Sequence, residues 1–210
     1  MPLSDRDYMR NPPSERRPVR FRSSFNFSLN PIFVIIIVNF LFFIVSSISR
    51  DAFNQLGLIP IIFWEQPWSL ITSMFVHANF WHIFVNMLML YFFGSYVSRL
   101  VGSGTCMLVY FGGGLLGNIL YLLLGEPLSI AVGASGAVYA LAGTLVVMMP
   151  NLKVAIWGII PMPLWVAVLV FMVLFSFLPH VAWQAHLGGL AVGLIAGYFF
   201  RRRGGYYYIR

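Results

Sequence analysis

The sequence predicts an all-α membrane protein, a bundle of six transmembrane helices with both termini cytoplasmic. Three observations carry this. Of the 210 residues 60% are hydrophobic and only 9% charged, against about 45–50% and about 25% in soluble domains. The charges cluster, leaving the stretches 23–49, 66–98, 100–125, 127–152 and 154–200 without any. Of the 13 cations, 12 then fall on one side of the bundle that these stretches imply.

A helical span needs about 20 mostly apolar residues. The first four charge-free stretches hold one span each. The last, broken by Pro161, Pro163 and Pro179, holds two. The expected spans are 31–48, 80–98, 105–124, 134–149, 163–178 and 184–200. They form a single domain over 31–200, between a basic N-terminal tail (1–30) and a basic C-terminal tail (201–210). No secretory signal is expected, because the first 30 residues are polar and basic.

Six spans place both tails on one side, and the positive-inside rule makes that side cytoplasmic. The inner segments then hold six N-terminal arginines, Arg99, Lys153 and four C-terminal arginines, leaving only Arg50 outside. The outer loops hold Asp51, Glu65 and Glu126. The expected location is the plasma membrane, multi-pass. The basic tails read as topology signals and headgroup contacts with the lipid bilayer, so no nucleic acid partner is expected. The single cysteine, Cys106, excludes a disulfide framework and a multi-cysteine zinc site. No cofactor or metal is expected.

The segment 49–79 is too long for a tight turn. Its Trp64, Pro67 and Trp68 suit the outer interface. Gly113 and Gly117 on span 3, and Gly189, Gly193 and Gly197 on span 6, are small-xxx-small runs that let helix backbones approach.

Polar residues within spans are functional candidates. They are Asn39, His77, His82, Asn86, Asn118, Ser135, Tyr139, Gln184 and His186. Three coincide in depth. His82 precedes Arg99 by 17 residues, Ser135 precedes Pro150 by 15, and His186 precedes Arg201 by 15. At 1.5 Å per residue each sits about 22–25 Å above the inner rim, in hydrocarbon about 30 Å thick. Ser135 lies in Gly133-Ala134-Ser135-Gly136, with glycine on both sides. At a helix start its hydroxyl would stand among unpaired N–H groups able to bind an oxyanion. Alone, this motif also reads as a helix cap with small-residue packing. His82 and Asn86 share a helix face at i and i+4, and could equally be interhelical glue. His186 at the depth of such a serine can act as its general base. Tyr139, four residues after Ser135, could hold the imidazole. Without an acidic residue at this depth, the implied machine is a Ser–His dyad.

Together these features resemble the rhomboid family of intramembrane serine proteases. The resemblance runs from about residue 30 and rests on the six spans, HxxxN (His82, Asn86), GxSG (Ser135), and His186 with Ala182 and Gly189. It implies a six-helix rhomboid bundle with Ser135 as nucleophile and His186 as general base. It also implies an oxyanion hole from the Ser135 N–H with His82 and Asn86, and a structural or water-retaining His77. The implied activity is cleavage of single-span transmembrane substrates near the extracytoplasmic face. Three departures stand out. Trp68 is followed by Ser69 where the family often has arginine. Ser98 stands where a glutamate is often found. Val85 replaces an aromatic before Asn86.

There are three rival readings. A rhomboid-like protein that binds membrane clients without cutting them would not need both Ser135 and His186. A six-span transporter or channel fits the glycine-rich helices, but no half-helix pair or internal repeat is apparent. A metal enzyme built on His77, His82, His180 and His186 lacks an acidic ligand at depth and any HExxH motif.

Overall fold

The computed structural model describes residues 30–156, 160–176 and 181–203. Most of both basic tails, together with Pro179 and His180, lies outside the described residues.

Helix α1, Pro31–Ile48, starts where Asn30 accepts a hydrogen bond from the Ile32 N–H (3.0 Å) and Pro31 takes the first position. Both are favoured where N–H groups have no partner inside the helix. Aliphatic side chains such as Ile37, Leu41 and Ile44 are exposed along it. The chain then makes α2 (Arg50–Leu56, capped by Ser49), a 3₁₀ turn at Pro60–Ile62, and the short α3 (Ser69–Thr72). The long 49–79 connection is therefore built of helical turns.

Helix α4, Phe80–Val101, is capped by Asn79 and runs through a π-helical stretch at Leu90–Gly94. There Gly94 packs against Ile32 of α1, and its carbonyl accepts from the Cys106 thiol at 3.4 Å. Gly102, at φ 84, turns the chain into α5, Ser103–Leu124. Helix α6 is Ser135–Met148. It leads into an antiparallel hairpin, β1 (Lys153–Ile156) with β2 (Ile160–Pro163), in the register Lys153↔Pro163. Pro161 and Pro163, two of the prolines that break the apolar stretch, thus sit on a two-stranded edge, where a missing N–H is tolerated. Helices α7 (Leu164–Ser176) and α8 (Trp183–Arg203) follow.

By length and apolarity, α1, α4 and α5 can each cross a membrane. Helix α6 has 14 residues and α7 has 13. Helix α8 has the length, but four glycines, Gln184 and His186 dilute its apolarity. Helix α6 is the core element. Nearly every residue from Gly136 to Leu145 is buried, enclosed by α4, α5, α7 and α8. A helix apolar on all sides belongs inside other structure.

Glycines set the packing distance. A Cβ on Gly189 or Gly193 of α8 would run into the carbonyl oxygens of Gly136 or Ala140 on α6. One on Gly113 of α5 would strike the Ala140 Cβ, and one on Gly117 the Ala185 carbonyl. The small-residue runs on α5 and α8 therefore both face α6 or its immediate contacts.

Candidate active site

The site begins with the strand-like segment before α6. Ala131 exchanges two backbone hydrogen bonds with Leu58, at 3.0 and 2.8 Å. The Gly133 N–H donates to the Ser73 carbonyl at 2.8 Å, and the Ala134 N–H to His77 Nε2 at 3.4 Å. Gly133 has φ 121, a conformation open essentially to glycine. Ala134 then stands in the N-cap position and has no side-chain acceptor to offer. The N–H groups of the first turn, beginning with Ser135, are left without a side-chain cap at the positive end of the helix.

Ser135 and His186 are brought together. His186 Nε2 lies 2.8 Å from Ser135 Oγ. The imidazole is buried and stacks on the Tyr139 ring, with centroids 4.6 Å apart and planes 27° apart. Tyr139 is one turn along α6 from Ser135, which places it under the ring. For Nε2 to accept the hydroxyl proton, Nδ1 must carry the ring's own hydrogen. Nδ1 is buried, with no hydrogen-bond partner among the described residues.

His82 closes the other side. Its backbone N–H donates to the Asn79 cap at 2.9 Å, and its Nδ1 accepts from the Ala78 N–H at 3.4 Å. That assigns the neutral ring's hydrogen to Nε2. A Cβ built on Gly133 would lie 2.8 Å from both Cε1 and Nε2 of His82, and 3.8 Å from Ser135 Oγ. The Nε2 edge thus lies against Gly133, beside the serine. Asn86 spends one amide hydrogen on the His82 carbonyl at 2.9 Å, leaving the other uncommitted. His77 is buried behind this group. Its Nδ1–H donates to the Phe75 carbonyl (3.2 Å), its Nε2 accepts from Ala134, and its ring meets His82 edge-on at 5.0 Å. One tautomer satisfies both hydrogen bonds, which suits a structural part.

The arrangement can perform acyl transfer. The hydroxyl has a base in contact. The Ser135 N–H, the His82 Nε2–H and the second Asn86 amide hydrogen are donors on neighbouring elements, able to meet a developing oxyanion.

The departures have structural counterparts. Ser69 is buried, and its Oγ has no partner among the described residues. The loop is held instead by Trp68 Nε1 on the Gln55 carbonyl (2.9 Å) and by the Thr72 hydroxyl on the Leu56 carbonyl (2.8 Å). Ser98 shares a 2.9 Å hydrogen bond with Ser103 across the turn from α4 to α5. Val85 is exposed. Ser73 holds Gly133 through its backbone carbonyl, a group with no side-chain signature in the sequence.

The family described as "Rhomboid domain" matches residues 64–203. A Bacillus subtilis (strain 168) protein provisionally named rhomboid protease YdcA is 34% identical over 133 residues, 62% of this chain and 66% of that protein. RHOMBOID-like protein 1 of Arabidopsis thaliana is 29% identical over 164 residues, 78% of this chain and 42% of that protein. Rhomboid protein 1, mitochondrial, of Saccharomyces cerevisiae is 29% identical over 152 residues, 62% of this chain and 41% of that protein. The chain thus spans less than two thirds of the length of each of these relatives.

Proposed function

This chain belongs to the rhomboid family, and we propose that it is an intramembrane serine endopeptidase working through a Ser135–His186 dyad. The carrying observation is the 2.8 Å contact between His186 Nε2 and Ser135 Oγ at the uncapped start of a buried helix. In this reading Oγ attacks the scissile carbonyl carbon as its proton passes to Nε2. The oxyanion is held by the Ser135 N–H, His82 Nε2–H and Asn86. Collapse expels the amine, which takes the proton from His186, and leaves an acyl-serine. Water, deprotonated by the same imidazole, then releases the acid. Tyr139 keeps the ring in plane for both transfers.

The bundle is read as six spans with both tails cytoplasmic, in the plasma membrane. Helix α6, about 21 Å long at 1.5 Å per residue, then begins below the extracytoplasmic surface, and the site lies where water can reach it. A peptide bond within a substrate helix has its carbonyl hydrogen-bonded internally, so the substrate must unwind there. Single-span proteins with glycine or proline near the outer end of the span meet that need. These residues cost a helix about 1 and about 3 kcal/mol relative to alanine.

The test is turnover of a single-span substrate in proteoliposomes. Ser135→Ala and His186→Ala are each expected to abolish cleavage while still inserting and folding, and only the wild type should label with a fluorophosphonate at Ser135. Cleavage surviving in either variant would remove the dyad. A wild type that holds the substrate without cutting or labelling would identify a client-binding protein instead.

A further inference from the structure

Helix α5 carries a buried amide, Asn118, whose two hydrogens are both committed outside its own helix. Its Nδ2 donates to the Leu70 carbonyl at 2.7 Å and to Ser73 Oγ at 2.9 Å. Leu70 lies in α3 and Ser73 directly follows it. Asn118 therefore satisfies the end of a helix too short to do so internally. One turn earlier on α5, Gly114 receives the Met74 side chain. Residues 70–74 are thus pinned to α5 at two successive positions.

The far side of this pin is the active site. The Ser73 carbonyl accepts the Gly133 N–H at 2.8 Å. Gly133 is the residue against which His82 rests, and it lies two positions before the nucleophile. The path from Asn118 to Ser135 therefore runs through one side-chain and one backbone hydrogen bond and two peptide units.

We propose that Asn118 is a positioning residue of the protease: through Ser73 it sets where the Gly133–Ser135 backbone stands relative to His82. The proposal rests on the protease reading given above. It also accounts for an outer loop that lacks the arginine often found after Trp68. In this chain the loop is pinned from α5, from below, by an amide whose hydrogens reach two acceptors on the loop. Asn118 touches no reacting atom. Its loss would let residues 70–73 shift, and the oxyanion donors would no longer meet the carbonyl oxygen together. That loss is felt in the chemical step, because a misplacement near 1 Å costs about 100-fold. Asn39, another buried amide, spends its Nδ2 on the Ile35 carbonyl of its own helix.

The test uses the full chain in proteoliposomes, with kcat and KM expressed per site titrated by a fluorophosphonate. Asn118→Leu keeps the volume and removes both donors. We expect kcat per titrated site to fall about 10- to 100-fold with KM unchanged. Ser73→Ala removes one acceptor but keeps the carbonyl that holds Gly133, and a smaller fall is expected. The double variant should lose less than the product of the two, because both act on one linkage. Asn39→Leu should leave kcat per site at the wild-type value. A purely structural Asn118 would lower only the titratable fraction and leave kcat per site unchanged, and that result overturns the proposal. If Asn118→Leu gives no titratable enzyme, Ser73→Ala decides, and wild-type kcat per site in it overturns the proposal equally. Failure of the protease reading is separable, since the wild type would then neither cut nor label, or turnover would survive Ser135→Ala.

Discussion

Gly133→Ala is the sharpest probe of the geometry around Ser135, the proposed nucleophile. The new Cβ would stand 2.8 Å from Cε1 and Nε2 of His82, where ordinary contact begins near 3.4 Å, so the ring or the backbone must yield by about 0.6 Å. The φ of 121 is also one that an alanine resists, at a cost of about 1–3 kcal/mol. If His82 gives way, a donor distance near 2.9 Å lengthens to about 3.5 Å, the edge of a useful hydrogen bond. Losing one oxyanion donor outright costs about 10²–10³ in rate. The Ser135 N–H and Asn86 remain, so we expect a fall in kcat of about 10- to 100-fold, or about 1.4–2.7 kcal/mol in the barrier. KM should hold. The assay is turnover of a single-span substrate per fluorophosphonate-titrated site, with thermal unfolding in parallel. Gly112→Ala is the control, since its Cβ would meet nothing nearer than Val192 Cγ1 at 3.9 Å. It should be neutral, or stabilising by up to about 1 kcal/mol. A Gly133→Ala enzyme with kcat within a factor of two of wild type would mean that His82 does not rest on Gly133 during the reaction.

Two further outcomes follow from the packing. Tyr139→Phe keeps the ring stacked on His186 and should retain kcat to within about threefold. Tyr139→Ala removes a contact of about 0.5–1.5 kcal/mol and should lower kcat per titrated site without raising KM. Equal kcat per titrated site in the two variants would show that the ring does not orient the base. Gly189→Ala places a methyl group on the Gly136 carbonyl and should destabilise the fold by about 1–3 kcal/mol. Unfolding by heat or SDS measures this, and an unchanged midpoint would rule out the close α6–α8 contact.

Much of this site is legible in the chain because membrane burial makes polar residues conspicuous. Ser135, His186 and His82 stand out in apolar stretches, and counting residues back from charges and Pro150 places them at one depth. In the structure His186 Nε2 lies 2.8 Å from Ser135 Oγ, and His82 rests against Gly133 two residues before the serine. Helix bounds follow the charge gaps closely. α1 occupies 31–48 as expected, and α6 is Ser135–Met148 against an expected 134–149. Two local features escaped. The π-helical stretch Leu90–Gly94 has no marker in its residues; its Gly94 lies against Ile32 of α1. The hairpin after α6 shows in the sequence only as a proline-broken connection. Asn118 was visible as a polar residue, but its acceptors lie 45 and 48 residues away in sequence. One of them is a main-chain carbonyl, which no residue identity announces.

Among the described residues no carboxylate aims the base of the proposed dyad, so its geometry must come from elsewhere, and glycine supplies it. Gly136 follows Ser135 and Ala185 precedes His186. A Cβ on Gly136 would already lie 3.1 Å from the Ala185 carbonyl. Three residues beyond His186, Gly189 lies against Gly136 itself, and from α5 Gly117 lies against Ala185. The backbones on either side of the 2.8 Å dyad contact therefore touch directly. Backbone contact is a stiffer ruler than a long side chain, because a close-packed interior transmits displacement instead of absorbing it. Adding one methyl group to this seam would part the helices by an appreciable fraction of an ångström, and a hydrogen bond of 2.8 Å tolerates little of that before it is lost. The small residues that permit helix association in lipid are thus also what fixes the distance between Ser135 and His186. The stacked Tyr139 ring then needs to set only the orientation of the imidazole.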